Sequence, residues 1–261
     1  MYKIERKSEI VNILEQSGKV DVGDLSARLG TSRETIRRDL QEMEEDGILK
    51  RTHGGAVFAG SIPGSPLELP VAVREIQHSG EKDAICRKAA SLIRDGDNIF
   101  LDNSSTCLYL LKYIPPKANV TIITNSVKLL SESVNYLSPN HLVICLGGIF
   151  HASNHSLYGN TALKNAADFY PSRTFMSCSG IRPDSVTDAS ILEVDLKRLM
   201  MERSQEVILL ADHSKFTRSG QVFLSDLSGI DMVITDGKTE KDQTAFLPGM
   251  GVELLIAEFH P

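Results

Sequence analysis

The chain has 261 residues, 24% of them charged and 41% hydrophobic, with a formal net charge of −6. That length suits one large domain or two unequal ones, and that balance is ordinary for a globular protein, which excludes fibrous and disordered classes. No signal peptide opens the chain and no apolar run approaches the roughly 20 residues of a membrane span, so a cytoplasmic protein without a membrane partner is expected.

The cysteines Cys86, Cys107, Cys145 and Cys178 form no C-x-x-C pair and lie in apolar stretches, which reads as buried, reduced thiols. Residues 1–58 carry ten Lys/Arg against eleven Asp/Glu. Any contact with nucleic acid must therefore come from local placement of arginines, not from a basic domain.

In chain order, a first helix is expected from about residue 5 to 17, with Ile10, Ile13, Leu14 and Tyr2 as inward candidates and Gly18 as its left-handed stop. Asp21 suits the cap of a second helix over residues 22–29, closed by Gly30. Residues 31–39, T-S-R-E-T-I-R-R-D, start a third helix. Thr31 and Glu34 stand at capping-box spacing, and Ile36, Leu40 and Met43 form one apolar stripe. Ser32, Arg33, Thr35, Arg37 and Arg38 fall away from that stripe. Hydroxyls and arginines at a helix N-terminus suit DNA, because a guanidinium can grip guanine or phosphate as a fork. A solvated face with i, i+4 ion pairs is the plainer alternative. Two short helices with a Gly turn make a helix-turn-helix. Residues 48–58, with His53-Gly54-Gly55 at the bend, then read as a two-stranded wing on which Lys50, Arg51 and His53 can meet phosphate. Asp39, at the edge of the stripe, is expected to pair with a neighbouring Arg.

Residues 59–78 read as a linker between a domain of residues 1–58 and one of residues 79–261. Three prolines and two glycines stand in the eleven residues 60–70, which leaves no room for regular structure. Residues 71–78 are ambiguous, and a helix packing on the second domain is one option.

From residue 80 onward, short apolar runs (99–101, 120–124, 141–145, 174–177, 207–211, 232–235) alternate with helical stretches. That is the pattern of an α/β domain with a mostly parallel sheet covered on both faces, whose ligands bind beyond the carboxyl ends of the strands. The polar residues just after those strands are Asp102, Asn103, Ser104, Ser105 and Thr106, then Thr124 and Asn125, Gly147 and Gly148, Ser179 and Gly180, and Lys215. Small hydroxyl residues there offer donors to an anion, and a lysine supplies the countercharge. Asp188 and Glu193 are candidates for sugar hydroxyls, or plain helix-end charges. His151 and His155 lie in a polar stretch without a carboxylate cluster. No metal is expected, and residues 149–159 read instead as a mobile loop over the pocket mouth.

The residues of the first half, Arg6, T-I-R-R-D-L, D-G-I-L-K-R and H-G-G-A, resemble the N-terminal signature of the DeoR family of bacterial regulators. L-D-N-S-S-T, I-T-N-S, L-G-G-I, L-L-A-D-H-S-K-F and V-I-T-D resemble that family's effector domain, which shares its fold with ribose-5-phosphate isomerase and glucosamine-6-phosphate deaminase. The resemblance implies a winged helix-turn-helix plus an isomerase-like α/β domain, binding to double-stranded operator DNA, and repression of sugar genes. It also implies control by a phosphorylated sugar, whose phosphate would sit on Ser104–Thr106 and Lys215. No cofactor is expected, and a homodimer or homotetramer is, because such readers pair half-sites by symmetry. Two departures stand out. Asn103-Ser104 replaces the usual Ala-Gly, and the isomerases' catalytic Glu falls near Lys197, so no carboxylate base is expected and binding without turnover follows. The rival reading is a sugar-phosphate isomerase or deaminase with an appended DNA-binding head.

Overall fold

The computed structural model describes residues 2–58 and 71–258 and divides the chain into two compact units, Met1–Ser79 and Gly80–Pro261. The proline-rich part of the expected linker, residues 59–70, lies outside the described residues.

In the first unit, α1 (Lys3–Ser17), β1 (Lys19–Asp21), α2 (Val22–Arg28), α3 (Arg33–Glu45), β2 (Leu49–Thr52), β3 (Gly55–Phe58) and α4 (Val71–Ile76) follow in order. Gly18 ends α1 at φ 72°, its N–H on the Leu14 carbonyl. Asp21 caps α2 by accepting from the N–H groups of Gly23 and Asp24. Ile10, Leu14, Leu25, Ile36, Leu40 and Met43 form the core. Four expectations need correction. Tyr2 is exposed. The cap of α3 is Ser32, one residue beyond Thr31: its hydroxyl accepts from the Thr35 N–H at 3.1 Å, and Glu34 turns to the arginines instead. The wing has three strands, order β1-β3-β2. A Cβ on Gly55 would stand 1.8 Å from the Val20 carbonyl oxygen, so that glycine admits β1. Finally, α4 packs on the first unit, with Val73 in its core and Ala72 and Ile76 against it, because its apolar residues complete the face that α1 offers.

The second unit contains α5 (Ser79–Ala90), β4 (Asn98–Leu101), α6 (Ser105–Leu110), β5 (Val120–Thr124), α7 (Val127–Tyr136), β6 (His141–Cys145), β7 (Ile149–His151), β8 (Ser156–Tyr158), α8 (Asn160–Ala166) and β9 (Arg173–Met176). After these come β10 (Gly180–Arg182), β11 (Ser185–Asp188), α9 (Val194–Arg203), β12 (Glu206–Leu210), β13 (Val222–Ser225), β14 (Met232–Asp236), α10 (Lys241–Thr244) and β15 (Glu253–Ala257). Seven strands form one sheet in the order β15-β14-β12-β9-β4-β5-β6, every pair parallel. Ile99 and Leu101 of β4 enter the core on one face and Phe100 the core on the other. Both faces are therefore covered, as the unbroken apolar run requires. The chain winds outward through β5 and β6, then returns beside β4 with β9 and winds the other way. That reversal between β4 and β9 opens a crevice at their carboxyl ends. Residues 149–158, expected as a mobile loop, form the antiparallel β7–β8 hairpin.

Candidate functional site

The outer face of α3 and the wing carry the residues expected to meet DNA. Ser32, Arg33, Arg37, Arg38, Lys50, Arg51 and His53 are exposed and Thr35 is half-exposed. The Ser32 and Thr35 hydroxyls bond each other at 2.9 Å, so part of their capacity is spent on the cap. Glu34 lies 3.6 Å from Arg37 and 4.0 Å from Arg38, and these open pairs hold the guanidiniums only loosely. Below them, buried Asp39 takes both arms of Arg6, with Nε to Oδ2 at 2.5 Å and Nη2 to Oδ1 at 3.1 Å. The pair ties α3 to α1 and keeps the Asp39 carboxylate inside the unit.

In the second unit the switch point gathers a buried charged cluster. Lys197 Nζ of α9 stands 3.0 Å from Asp102 and 2.6 Å from Asp188, and donates to the Ser177 carbonyl at 2.9 Å. Asp102 also accepts from the Ser104 and Ser177 N–H groups, at 3.0 and 3.1 Å, and so bridges the ends of β4 and β9. Burial alone would raise the Asp102 carboxyl, but the Lys197 charge and the Ser104 hydrogen bond outweigh it and hold it below its ordinary value. Burial likewise opposes the Lys197 charge, yet Asp102 and Asp188 keep its pKa well above the usual lysine range.

A carboxylate read as a candidate for sugar hydroxyls also stands here. Glu193, just before α9, points into the crevice and is buried. It accepts from Asn103 Nδ2 at 2.9 Å, Asn154 Nδ2 at 3.2 Å, Ser156 Oγ and, at 3.5 Å, His151 Nδ1. Burial would raise its pKa; the bonds from Ser156 and Asn103 and the Lys197 charge reverse the shift and lower it. It is thus not a loose helix-end charge: Oε1 takes three of these donors and Oε2 one.

The remaining strand-end residues divide by role. Ser104 caps α6 through the Cys107 N–H, and Thr124 and Asp212 cap their own turns. Asn103 spends its amide on Glu193, and Ser104, at the position where the family carries Gly, is extended at φ −68°, so losing that glycine needs no left-handed backbone. Asn125 donates to the Leu157 carbonyl at 3.1 Å and more loosely to Asn103 at 3.5 Å, while its buried Oδ1 has no partner among the described residues. A Cβ on Gly148 would stand 2.5 Å from the Tyr158 carbonyl oxygen, and one on Gly180 2.3 Å from that of Arg218; both glycines serve packing within the protein. Gly147 turns at φ 70° beside them, and the Ser179 N–H is held by the Thr187 carbonyl. Lys215 sits half-buried on the turn after β12, with no ion pair or hydrogen bond from its ammonium among the described residues. Burial pushes the Cys178 thiol up to about 12, and the Lys215 charge is the leading one that counters it. A second cation went unread in the sequence: buried Lys82 of α5 donates to Ser105 Oγ at 3.1 Å. Only a lysine on the inward stripe of α5, between Glu81 and Ile85, hinted at it.

The known proteins that this chain resembles fit both halves. A model of the DeoR-like helix-turn-helix domain matches residues 6–61, and one of the DeoR C-terminal sensor domain matches residues 77–237. The chain belongs to the DeoR family. A DeoR-family relative in Listeria innocua, the HTH-type transcriptional regulator GolR, is 33% identical over 99% of this chain and 100% of its own. The HTH-type transcriptional repressor GlcR of Bacillus subtilis is 32% identical over 99% and 98%. The glycerol-3-phosphate regulon repressor of Escherichia coli is 30% identical over 90% and 92%. Among solved structures, ribose 5-phosphate isomerase A of Methanocaldococcus jannaschii overlaps 51% of this chain and 52% of its own at 14% identity, with a TM-score of 0.37. The fold assignment rests on the strand order above and not on that partial overlap. As a member of the DeoR family the protein is a DNA-binding transcriptional regulator. Among the described residues no helix is long and apolar enough to cross a membrane.

Proposed function

We propose that this regulator represses genes of carbohydrate metabolism and leaves its operator when a phosphorylated sugar binds the second unit. The observation that carries the reading is Lys215, an ammonium without a protein partner among the described residues, on the turn after β12, the strand beside β9. Lys82 and Ser105 supply a second donor group in the same unit, and the unmet Asn125 Oδ1 is an acceptor suited to a sugar hydroxyl. On the DNA side, Arg33, Arg37 and Arg38 of α3 read the major groove, with Lys50, Arg51 and His53 of the wing on phosphate. Two copies would present two such helices to a symmetric operator, so the working form is a homodimer or homotetramer.

Binding proceeds without turnover. Enediol chemistry needs a carboxylate able to take a carbon-bound proton, and among the described residues Asp102 and Asp188 pair with Lys197, Asp212 caps its own turn and Glu193 accepts from four donors. Overnight incubation with ribose 5-phosphate and glucosamine 6-phosphate should leave both unchanged; conversion of either would favour the isomerase or deaminase reading. A thermal-shift screen of sugar phosphates finds the ligand, since saturation at about 100 times Kd adds roughly 2.7 kcal/mol. No shift from any phosphorylated sugar would overturn the effector assignment.

A further inference from the structure

The β7–β8 hairpin leaves β6 through Gly147 and Gly148 and returns through Gly159, all at positive φ (70°, 121° and 89°). Its return strand lies along the loop after β5. The Leu157 N–H donates to the Asn125 carbonyl at 2.8 Å, and the Val127 N–H to the His155 carbonyl at 2.8 Å. Beyond that seam its turn reaches Glu193 in front of α9, and Glu193 in turn holds Asn103 of the loop after β4. The hairpin therefore spans the ends of β5 and β4, the side of the crevice where Asn125 Oδ1 lies unmet.

All four groups on Glu193 are donors. Asn154, Ser156 and His151 approach Oε1, and Asn103 approaches Oε2. His151 can donate from Nδ1 because its Nε2 can accept from Ser153 Oγ at 2.9 Å. Three of the donors belong to the hairpin region and one to the switch-point loop. Only an acceptor-only group satisfies them together; a glutamine of the same shape would turn an NH₂ toward a donor. We infer that Glu193 is a positioning residue: its carboxylate is the latch that holds residues 149–158 and Asn103 together over the effector pocket. The inference rests on reading that crevice as the effector site, and it gives Glu193 a task distinct from touching the ligand.

Hydrogen exchange on the ligand-free full chain tests the latch, comparing wild type, Glu193→Gln and Glu193→Asp at one pH. Glu193→Gln keeps the shape but loses the charge and turns one of the two acceptor oxygens into an NH₂ donor; Glu193→Asp keeps the charge and both acceptors and is one methylene shorter. Exchange across residues 149–158 should rise by about tenfold or more in Glu193→Gln and by less in Glu193→Asp, while residues 99–101 stay protected in both. Unchanged hairpin exchange in Glu193→Gln would overturn the latch. So would an Asp variant that opens further than the Gln variant, or a rise shared by residues 99–101, since either would make Glu193 a general support of the unit. Because no ligand is present, the result is independent of what the crevice binds.

Discussion

The two units carry their charges in opposite ways. On α3 the side chains of Arg37 and Arg38 are 58% and 78% exposed, beside a Glu34 that is 65% exposed. At the switch point of the second unit the side chains of Lys197, Asp102 and Asp188 are 7%, 1% and 6% exposed. An exposed guanidinium is already hydrated and can move to a phosphate at little cost. A buried charge must be compensated inside the protein, so it fixes the geometry of the crevice instead of serving as its contact. On the proposed reading, the groups left for ligand are those outside that compensation, the Lys215 ammonium and the Asn125 side-chain oxygen Oδ1.

Removing the centre of the buried cluster should have the largest effect. Lys197→Met leaves two carboxylates buried without a countercharge and should cost the second unit about 3–5 kcal/mol, read as a fall in the melting transition of that unit. A cost under about 1 kcal/mol would show that the cluster is wetter than its burial implies. The same charges set the pH range. Asp102 and Glu193 are held below their ordinary values of 3.8 and 4.5, so their stabilisation is complete above those values and is lost as pH falls through the lowered ones. Lys197 is raised above 10.5, so its contribution is present below that value and is lost as pH rises through the raised one. Thermal melts should thus hold a plateau between these limits and fall at both ends; stability that kept rising below pH 4 would contradict the assignment.

The intermediate case lies in the first unit. Asp39→Asn removes the partly shielded pair with Arg6 and should destabilise that unit by about 1.5–3 kcal/mol, measured by denaturant unfolding, with operator affinity falling because α3 loses its tie to α1. The smallest effect on folding belongs to the exposed face. Arg37→Ala with Arg38→Ala should change stability by no more than about 0.5 kcal/mol while weakening operator binding. Where the lost contacts are to phosphate, the salt slope should flatten by about one unit per arginine. Unchanged operator affinity at every salt concentration would remove both residues from the interface.

This contrast also explains what could be read in advance. The stripe Ile36, Leu40, Met43 is local and periodic, so α3 and its outer face were legible, as were the apolar strands of the large sheet. The cap was misplaced by one residue because Thr31 and Ser32 both carry a hydroxyl near the helix start, and only the backbone decides between them. The strand β1 is three residues long and leaves no periodic signal. The site beneath the hairpin was the least legible part. Glu193 draws its donors from 90, 39, 37 and 42 residues away, and no spacing rule reaches that far. Lys197 looked like the loss of a carboxylate because its partner Asp102 lies far away in the chain, just after β4; its meaning depends on the return of the chain beside β4.

The central claim, that an exposed head reads operator while a partly free lysine in the second unit senses a phosphorylated sugar, is tested most directly by operator-binding titrations of wild type and Lys215→Ala. Each would be run with and without the sugar phosphate found by thermal shift. Wild type should leave the operator when the phosphorylated sugar is added and ignore the unphosphorylated one. Lys215→Ala should bind operator as wild type does but need about ten- to a hundredfold more of the sugar phosphate for release. A Lys215→Ala protein that loses operator affinity without ligand, or that is released at the wild-type concentration, would contradict the account.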